Sequence, residues 1–427
     1  MKYVWINGTV LDGSEHMVPR KNLAVFVNGD KIESVVPLQD ASLAGYKVID
    51  LKGQYLMPGL VNLHVHLPAS GKPKKKPTDP VKLVKVMTSN ALTRRILYQL
   101  CASMARTQML SGVTTIRTVG GVLDVDSRIR DDILSGKIDG PRILSSNTAI
   151  SVPGGHMTGS VAYPAQSIEE AVRLVDQTAD EKADLIKLMI TGGVLDAKEK
   201  GEPGILRMPP EMVRACCDEA HRKGLLVAAH VESPEGVRVA LANGVDSIEH
   251  GAMPDENIIQ MFRDRGAFHV ATISPALPLA LLDREISGVS EMAQFNSNVV
   301  LEGVVACAKE CLANGIPVGL GTDTGCPYIT HYDMWREVFY FQKYCGVSSE
   351  FALYTATRRN AELAGLGSVT GSIEAGKCAD LIVVDGNPLK DLKLLRNVSM
   401  VMARGKLIEH PKVKKIPQVE SELNKFL

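Results

Sequence analysis

From about residue 59 onward, short β-branched apolar runs alternate along the chain with stretches whose apolar residues recur at helical spacing. The runs GLVNLHVHL, VTTIRTVGG, PRILSSNTAI, DLIKLMITGG, LLVAAHVES, DSIEHG, AFHVATIS and IPVGLGTD read as eight strands, nearly continuous in apolar character as strands buried on both faces must be. Between them, segments such as PPEMVRACCDEAHRKG and VVLEGVVACAKECLANG carry an amphipathic helical pattern closed by a glycine. Strand and helix repeated eight times predict an α/β fold, a (β/α)8 TIM barrel spanning residues 59–370. An open doubly wound sheet is the main competitor. Against it, no GxGxxG follows the first strand, and polar residues sit at the ends of several different strands, which a barrel mouth gathers into one site.

The flanks differ in character. Residues 1–58 and 371–427 read mainly as short alternating strands with Gly and Asn-Gly turns. Each set is too small for a core of its own, so the two are expected to combine into one β-sandwich domain built from both chain ends. The segment GKPKKKPTDP (71–80) is too rich in Pro and Lys for regular structure. It reads as a solvated loop near the barrel mouth, with a substrate-facing lid or an anion contact as the functional alternative.

Composition narrows the class. A chain of 427 residues with 45% hydrophobic content can bury a large core without disulfides. Lys plus Arg and Asp plus Glu are both 48, so no bulk field favours nucleic acid or an anionic membrane. The start, MKYVWINGTVLDG, reads as strand and turn rather than a leader, and no long uncharged apolar run appears, so the expectation is a cytoplasmic protein acting on a small molecule. Eight cysteines with no CxxC pair read as reduced, mostly buried thiols.

The chemistry sits at the strand ends. His64 and His66 flank Val65, and because alternate residues of a strand share a face, both imidazoles point the same way, into the barrel mouth. Adjacent neutral imidazoles are costly to bury unless something satisfies their lone pairs, as a divalent metal does. Four further candidate ligands arrive on other strands: Lys187 in LIKLMITGG, His230 in VAAHVES, His250 in SIEHG and Asp323 in GLGTDTG. Lys187 is the anomaly, since an ammonium would repel the cations that its neighbours attract. His16, His221, His269, His331 and His410 match no such motif and read as packing or surface residues, with His331 the nearest to a pocket role.

HVH on strand one, Lys on four, His on five and six and Asp on eight resemble the binuclear branch of the amidohydrolase superfamily. SGVTTIRTVGG, GPRI, GGHMTG, ITGGVLD, ATRRNAELAGLG and GSIEAGKCADLIVVDGNPLKDL extend the likeness over nearly the whole chain, towards imidazolonepropionase-like members that include Xaa-Pro dipeptidases, arginine and lysine carboxypeptidases and an ochratoxin-hydrolysing amidase. The resemblance implies two divalent metal ions, zinc first by ligand type. It also implies that carbon dioxide converts Lys187 to N6-carboxylysine, which bridges the two ions. His64, His66 and Asp323 would hold one ion, and His230 and His250 the other. Ions about 3.5–4 Å apart can share one hydroxide, the expected nucleophile. Asp323 then moves the proton to the leaving amine, and His156 of PGGHMTG polarises the substrate carbonyl.

In the dipeptidase relatives, a hydroxyl two residues after the strand-five histidine and an arginine eight residues after it hold a substrate carboxylate. This chain has Arg238 at the second position but Glu232 at the first, where a carboxylate would repel the substrate unless turned away or paired with Arg238. The expected reaction is cleavage of a C–N bond in an N-acyl amino acid or dipeptide. Deamination or opening of a cyclic amide or lactone is the alternative, kept alive by Glu232, and a non-catalytic scaffold is the third reading. Barrels of this family are often homo-oligomers, which is the expectation here. Side-chain preference is expected in the loops after strands one, seven and eight, including residues 277–282 and 326–328.

Overall fold

The computed structural model describes residues 1–73 and 79–427, so the lysine-rich loop predicted over 71–80 lies in part outside the described residues. All eight predicted central runs form strands: β1 (Leu60–Val65), β2 (Val113–Thr118), β3 (Arg142–Ser145), β4 (Leu185–Met189), β5 (Leu226–Val231), β6 (Ser247–His250), β7 (Phe268–Ala271) and β8 (Val318–Leu320). They fall into two parallel groups. β1, β2 and β3 pair in that order, while β4 to β8 pair in sequence order within a seven-stranded sheet.

The third run departs from its expectation as one strand. It breaks after Ser145 and resumes as Ala149–Ser151, which pairs with β4 instead of continuing the first group. Asn147 is the cause. Its backbone is left-handed, at φ 53°, and its side chain accepts from the Ser127 N–H at 3.1 Å and donates to the Glu181 carbonyl at 3.1 Å. An asparagine tolerates that conformation because its amide replaces the lost ladder bonds locally.

Residues 277–282 also differ from expectation. They belong for the most part to the helix Ile273–Leu281, whose apolar face is buried, rather than to a loop. The sequence ISPALPLAL carries two prolines, which argues for a break, but Pro275 lies in the first turn, where no helical N–H is needed, and burial of the remaining side chains outweighs the cost of Pro278.

β8 and β1, first and last of the eight, are bonded directly past the end of β8. The Asp323 N–H donates to the His64 carbonyl at 2.9 Å and the His66 N–H to the Thr324 carbonyl at 3.2 Å. Asn360, fully buried, bridges the same two strands from outside: its amide donates to the Val61 carbonyl at 2.7 Å and the Leu320 carbonyl at 2.9 Å, and accepts from the Leu320 N–H at 2.9 Å. Gly321 makes that approach possible, because a Cβ there would lie 2.4 Å from the His64 Cβ.

The chain ends supply two more sheets. One has four strands, Lys31–Pro37, Leu23–Asn28, Lys2–Ile6 and Lys47–Asp50 in spatial order; the other has five, Lys406–Glu409, Val398–Ala403, Leu381–Val384, Tyr55–Pro58 and Thr9–Val10. The second therefore draws strands from both ends of the chain. Tyr3, Trp5 and Val25 of the first sheet share one buried apolar cluster with Leu56, Leu381 and Met402 of the second. After them, residues Pro417–Leu423 form a helix, which the strand-and-turn reading of the C-terminal flank does not contain. Val419 and Leu423 bury its apolar side against the larger core.

Candidate metal centre

Alternation along β1 and the residue that follows it places His64 and His66 on one face, as the HVH spacing requires. Their rings stand 5.3 Å apart, and contact continues from His64 to His250 (4.9 Å between centroids), from His250 to His230 (4.7 Å) and from His230 to His156, which stack at 4.1 Å. Five histidines from three strands and one loop thus touch in series. Asp323 closes the group, with Oδ1 3.2 Å from His66 Nε2 and 3.6 Å from His64 Nε2. His64, His250 and Asp323 can bring donor atoms within 4.8 Å of one another, and so can His230, Glu232 and His250.

The outer nitrogens of three rings are already engaged. His64 Nδ1 bonds Glu249 at 2.8 Å, His66 Nδ1 bonds the Gly120 carbonyl at 2.8 Å, and His250 Nδ1 bonds the Thr272 hydroxyl at 2.7 Å. A bond at Nδ1 leaves the Nε2 lone pair facing inward, the orientation a metal-binding imidazole needs. His250 and Asp323 both hold left-handed backbones, at φ 67° and 53°, a strain of about 1–3 kcal/mol each that surrounding structure must offset.

Lys187, mid-strand in β4, points into the same group. It is buried, and its Nζ has no hydrogen-bond partner among the described residues. Burial lowers its pKa to about 8, against the opposite pull of Glu249 and Asp323. Burial also lowers His64 to about 4, reinforced by Lys187, and carries His230 well below the usual histidine range, with His156 and His250 adding to the effect. His64 and His230 are therefore held as neutral lone-pair donors beside the Asp323 carboxylate. Burial works to raise Asp323, but His64 and His66 override it and hold the carboxyl well below its ordinary range.

Glu249 was not singled out by its sequence position, yet it organises the group. It is fully buried, bonds His64 through Oε2, and takes Arg117 at 2.6 Å and the Ser247 hydroxyl at 2.7 Å on Oε1. Burial pushes its pKa up, while Arg117 and His64 pull harder and keep it ionised. The available signal was a charged residue inside each of two runs expected to be buried, IRT and IEH, since such charges need partners. Asp196 in ITGGVLD, which hydrogen-bonds His156 Nδ1, is likewise absent from the candidates that the sequence offers.

The remaining expected residues divide. Glu232 lies beside His230, accepts from the Val194 N–H at 3.1 Å, and is pushed up to about 8 by burial. Arg238 does not pair with it: the side chain is 39% exposed and forms an ion pair with Asp255 instead. His331 is buried against the Ala69 carbonyl (2.8 Å) and Gln108, so it braces the segment after β1.

Residues 55–408 match the sequence profile of the amidohydrolase family. The chain belongs to the amidohydrolase family. Ochratoxinase from Aspergillus niger is 26% identical over 402 residues, covering 87% of this chain and 79% of that protein. A 5-methylthioadenosine/S-adenosylhomocysteine deaminase from Bacillus cereus is 25% identical over 405 residues, 90% of this chain and 86% of the relative. Among solved structures, one described as a candidate prolidase from Bifidobacterium longum superposes with a TM-score of 0.88 at 35% identity, covering 99% of this chain and 98% of that one. A Xaa-Pro dipeptidase with methionine bound in its active site gives 0.82 at 29%, over 96% and 100%.

Amidohydrolases in general bind metal ions, and the histidine-rich group at the strand ends is a site of the right donor chemistry for this one. Membership with dipeptidase-like and ochratoxinase-like relatives supports an enzyme that hydrolyses a C–N bond in a small molecule. Among the described residues no helix is long and apolar enough to cross a membrane.

Proposed function

We propose that this amidohydrolase cleaves the C–N bond of an N-acyl amino acid or dipeptide at a binuclear centre. In this reading His64, His66 and Asp323 hold one divalent ion, His230 and His250 a second, zinc being the first choice for both. The observation that carries it is Lys187: a buried Nζ with no hydrogen-bond partner among the described residues, set among imidazoles and a carboxylate. Reaction of that amine with carbon dioxide, with loss of one proton, gives a carbamate whose two oxygens suit a bridging role. The bound ions would supply Lewis acidity and a water of lowered pKa.

The chain's own groups have the following tasks. Asp323, with Oδ1 toward His66 and Oδ2 free of the imidazoles, takes a proton from the attacking water and returns it to the leaving amine. His156, hydrogen-bonded to Asp196 at Nδ1, would in its protonated form present Nε2 as a donor to the substrate carbonyl oxygen as negative charge develops there. Arg238 leaves Asp255 to hold a substrate carboxylate, and Glu232 lines the same side and restricts which substrates fit. The two parallel groups of strands are read as one closed (β/α)8 barrel over 59–370, for which the β8–β1 bonds are the support. Residues 1–58 and 371–427 are read as one β-sandwich domain, supported by the shared apolar cluster.

Metal analysis of the purified chain, joined to assays of N-acyl amino acids, dipeptides and lactones with and without chelator and bicarbonate, tests this reading. Two ions per chain and chelator-sensitive amide cleavage support it. One ion or none, with no amide turnover, defeats it. Ammonia release from a nucleoside panel would favour the deaminase alternative, which the second relative and the grouping of Glu232 with His230 and His250 keep in view.

A further inference from the structure

Behind the strand that ends in His250, three donors meet in the core. His269 of β7 and Cys307 and Cys311 of the helix Glu291–Ala313 are each fully buried, and their ligating atoms lie within 4.8 Å of one another. Two cysteines four residues apart on a helix put both thiols on one face, and this helix packs that face on β7.

The tautomer of His269 follows from its partner. Nε2 lies 2.7 Å from the carbonyl oxygen of His250, and a carbonyl only accepts, so Nε2 carries the hydrogen and Nδ1 keeps its lone pair. That Nδ1 is buried with no hydrogen-bond partner among the described residues. Gly251 leaves room for the group: its φ is 80°, and a Cβ there would stand 3.0 Å from both Cys307 Sγ and His269 Nε2.

We propose that His269, Cys307 and Cys311 form a separate metal site that takes one thiophilic d10 cation, copper(I) or zinc(II). Its donors differ in kind from the nitrogen and oxygen set at the strand ends, and thiolates select soft ions. On binding, each thiol releases its proton to solvent, imidazole stays neutral, and no electron changes hands. Three donors suit a trigonal copper(I) ion as they stand, whereas zinc would recruit a fourth ligand. The site is independent of the binuclear reading. It also has a mechanical link to the strand ends, because the ring that would bind the cation holds the His250 carbonyl through its other nitrogen.

Sulfur-to-metal charge-transfer absorption in the near ultraviolet is the test, since a centre of nitrogen and oxygen ligands cannot give it. Cys326 is the most exposed of the cysteines and lies 3.6 Å from Asp323 Oδ2, so the titrations use full-length protein carrying Cys326→Ser. Copper(I) and, separately, cobalt(II) as the zinc surrogate are added without oxygen, both to native protein and during refolding from urea, so that slow entry does not mask binding. The expected result is absorption saturating at one ion per chain with at least one of the two metals, retained in His64→Ala and lost in Cys307→Ser and in Cys311→Ser. A response to copper(I) alone assigns the trigonal ion, and a response to cobalt assigns the zinc type. No sulfur absorption with either metal overturns the site and leaves three buried side chains packed together. Absorption that persists in both serine variants overturns it as well. The first of these outcomes needs no variant at the three donors.

Discussion

Glu249 and His64 share a 2.8 Å hydrogen bond with neither side chain open to solvent, and the same carboxylate neutralises Arg117 at 2.6 Å. One residue thus fixes a candidate ligand and satisfies a buried cation. Replacing Glu249 with Gln should lower the affinity for metal about 10- to 100-fold, as measured by competition with a chromophoric chelator. The uncompensated Arg117 should reduce stability by about 3–5 kcal/mol in urea unfolding of the metal-free protein. A folded Glu249→Gln protein with unchanged metal affinity would show that His64 is oriented by something else.

Arg238 offers a cleaner separation of binding from stability. It is an exposed partner of Asp255, which independently caps the helix Glu256–Arg265 by accepting from the Ile258 N–H at 2.9 Å. Arg238→Ala should therefore change stability by about 1 kcal/mol or less. If Arg238 holds the substrate carboxylate, kcat/KM toward carboxylate-bearing amides should fall by about tenfold or more, mainly through KM, while neutral amides are untouched. Equal kcat/KM for both proteins across the panel would remove the N-acyl amino acid from consideration.

Asp126 gives a dependence on pH. It is fully buried in the helix Val125–Leu134, and burial pushes its pKa up to about 6 against the pull of a hydrogen bond from Thr118 and of His66. With its folded pKa raised above the ordinary 3.8, its contribution is fully present below that value and is lost as pH rises through about 6. The loss is on the order of 3 kcal/mol. Metal-free Asp126→Asn should lack this component, so the difference in unfolding free energy between variant and parent should shift in the variant's favour from about pH 4 to about pH 7. A difference that is flat with pH would mean that Asp126 is paired or hydrated.

Removing metal should also be visible without any assay of turnover. An ion that binds only the folded chain stabilises it by about 2.7 kcal/mol when free at 100 times its Kd. Chelator should lower the unfolding midpoint accordingly, and full recovery should require bicarbonate along with metal if Lys187 is carboxylated. Recovery at an equal rate with carbon dioxide rigorously excluded would count against the carbamate.

The sequence exposes what is periodic and local. Eight strands were legible because their apolar runs are short and β-branched, and the grouping of His64, His66, His230, His250 and Asp323 followed because each lies at or near the end of such a run. What depends on three-dimensional partners was not legible. Nothing near Glu249 in the chain announces Arg117, which arrives from a strand 132 residues earlier, and nothing near Arg238 announces Asp255 as its partner. The break at Asn147 and the helix over Ile273–Leu281 were hidden for a related reason. In each, side-chain hydrogen bonding or tertiary burial overrides the local pattern.

Every candidate ligand of the centre lies between residues 64 and 323, yet the spacing between the first and last of them is held by an amide encoded later, at Asn360. That side chain works as a keystone: wedged behind β1 and β8, it keeps the strand bearing two histidines in step with the strand preceding the aspartate. A chain that stopped short of it would retain the complete donor inventory and lose one of the braces that hold those donors at a common distance. Inheritance of the six candidate ligands is therefore not enough to inherit the centre, and sequence drift around residue 360 should be as constrained as drift at those positions themselves.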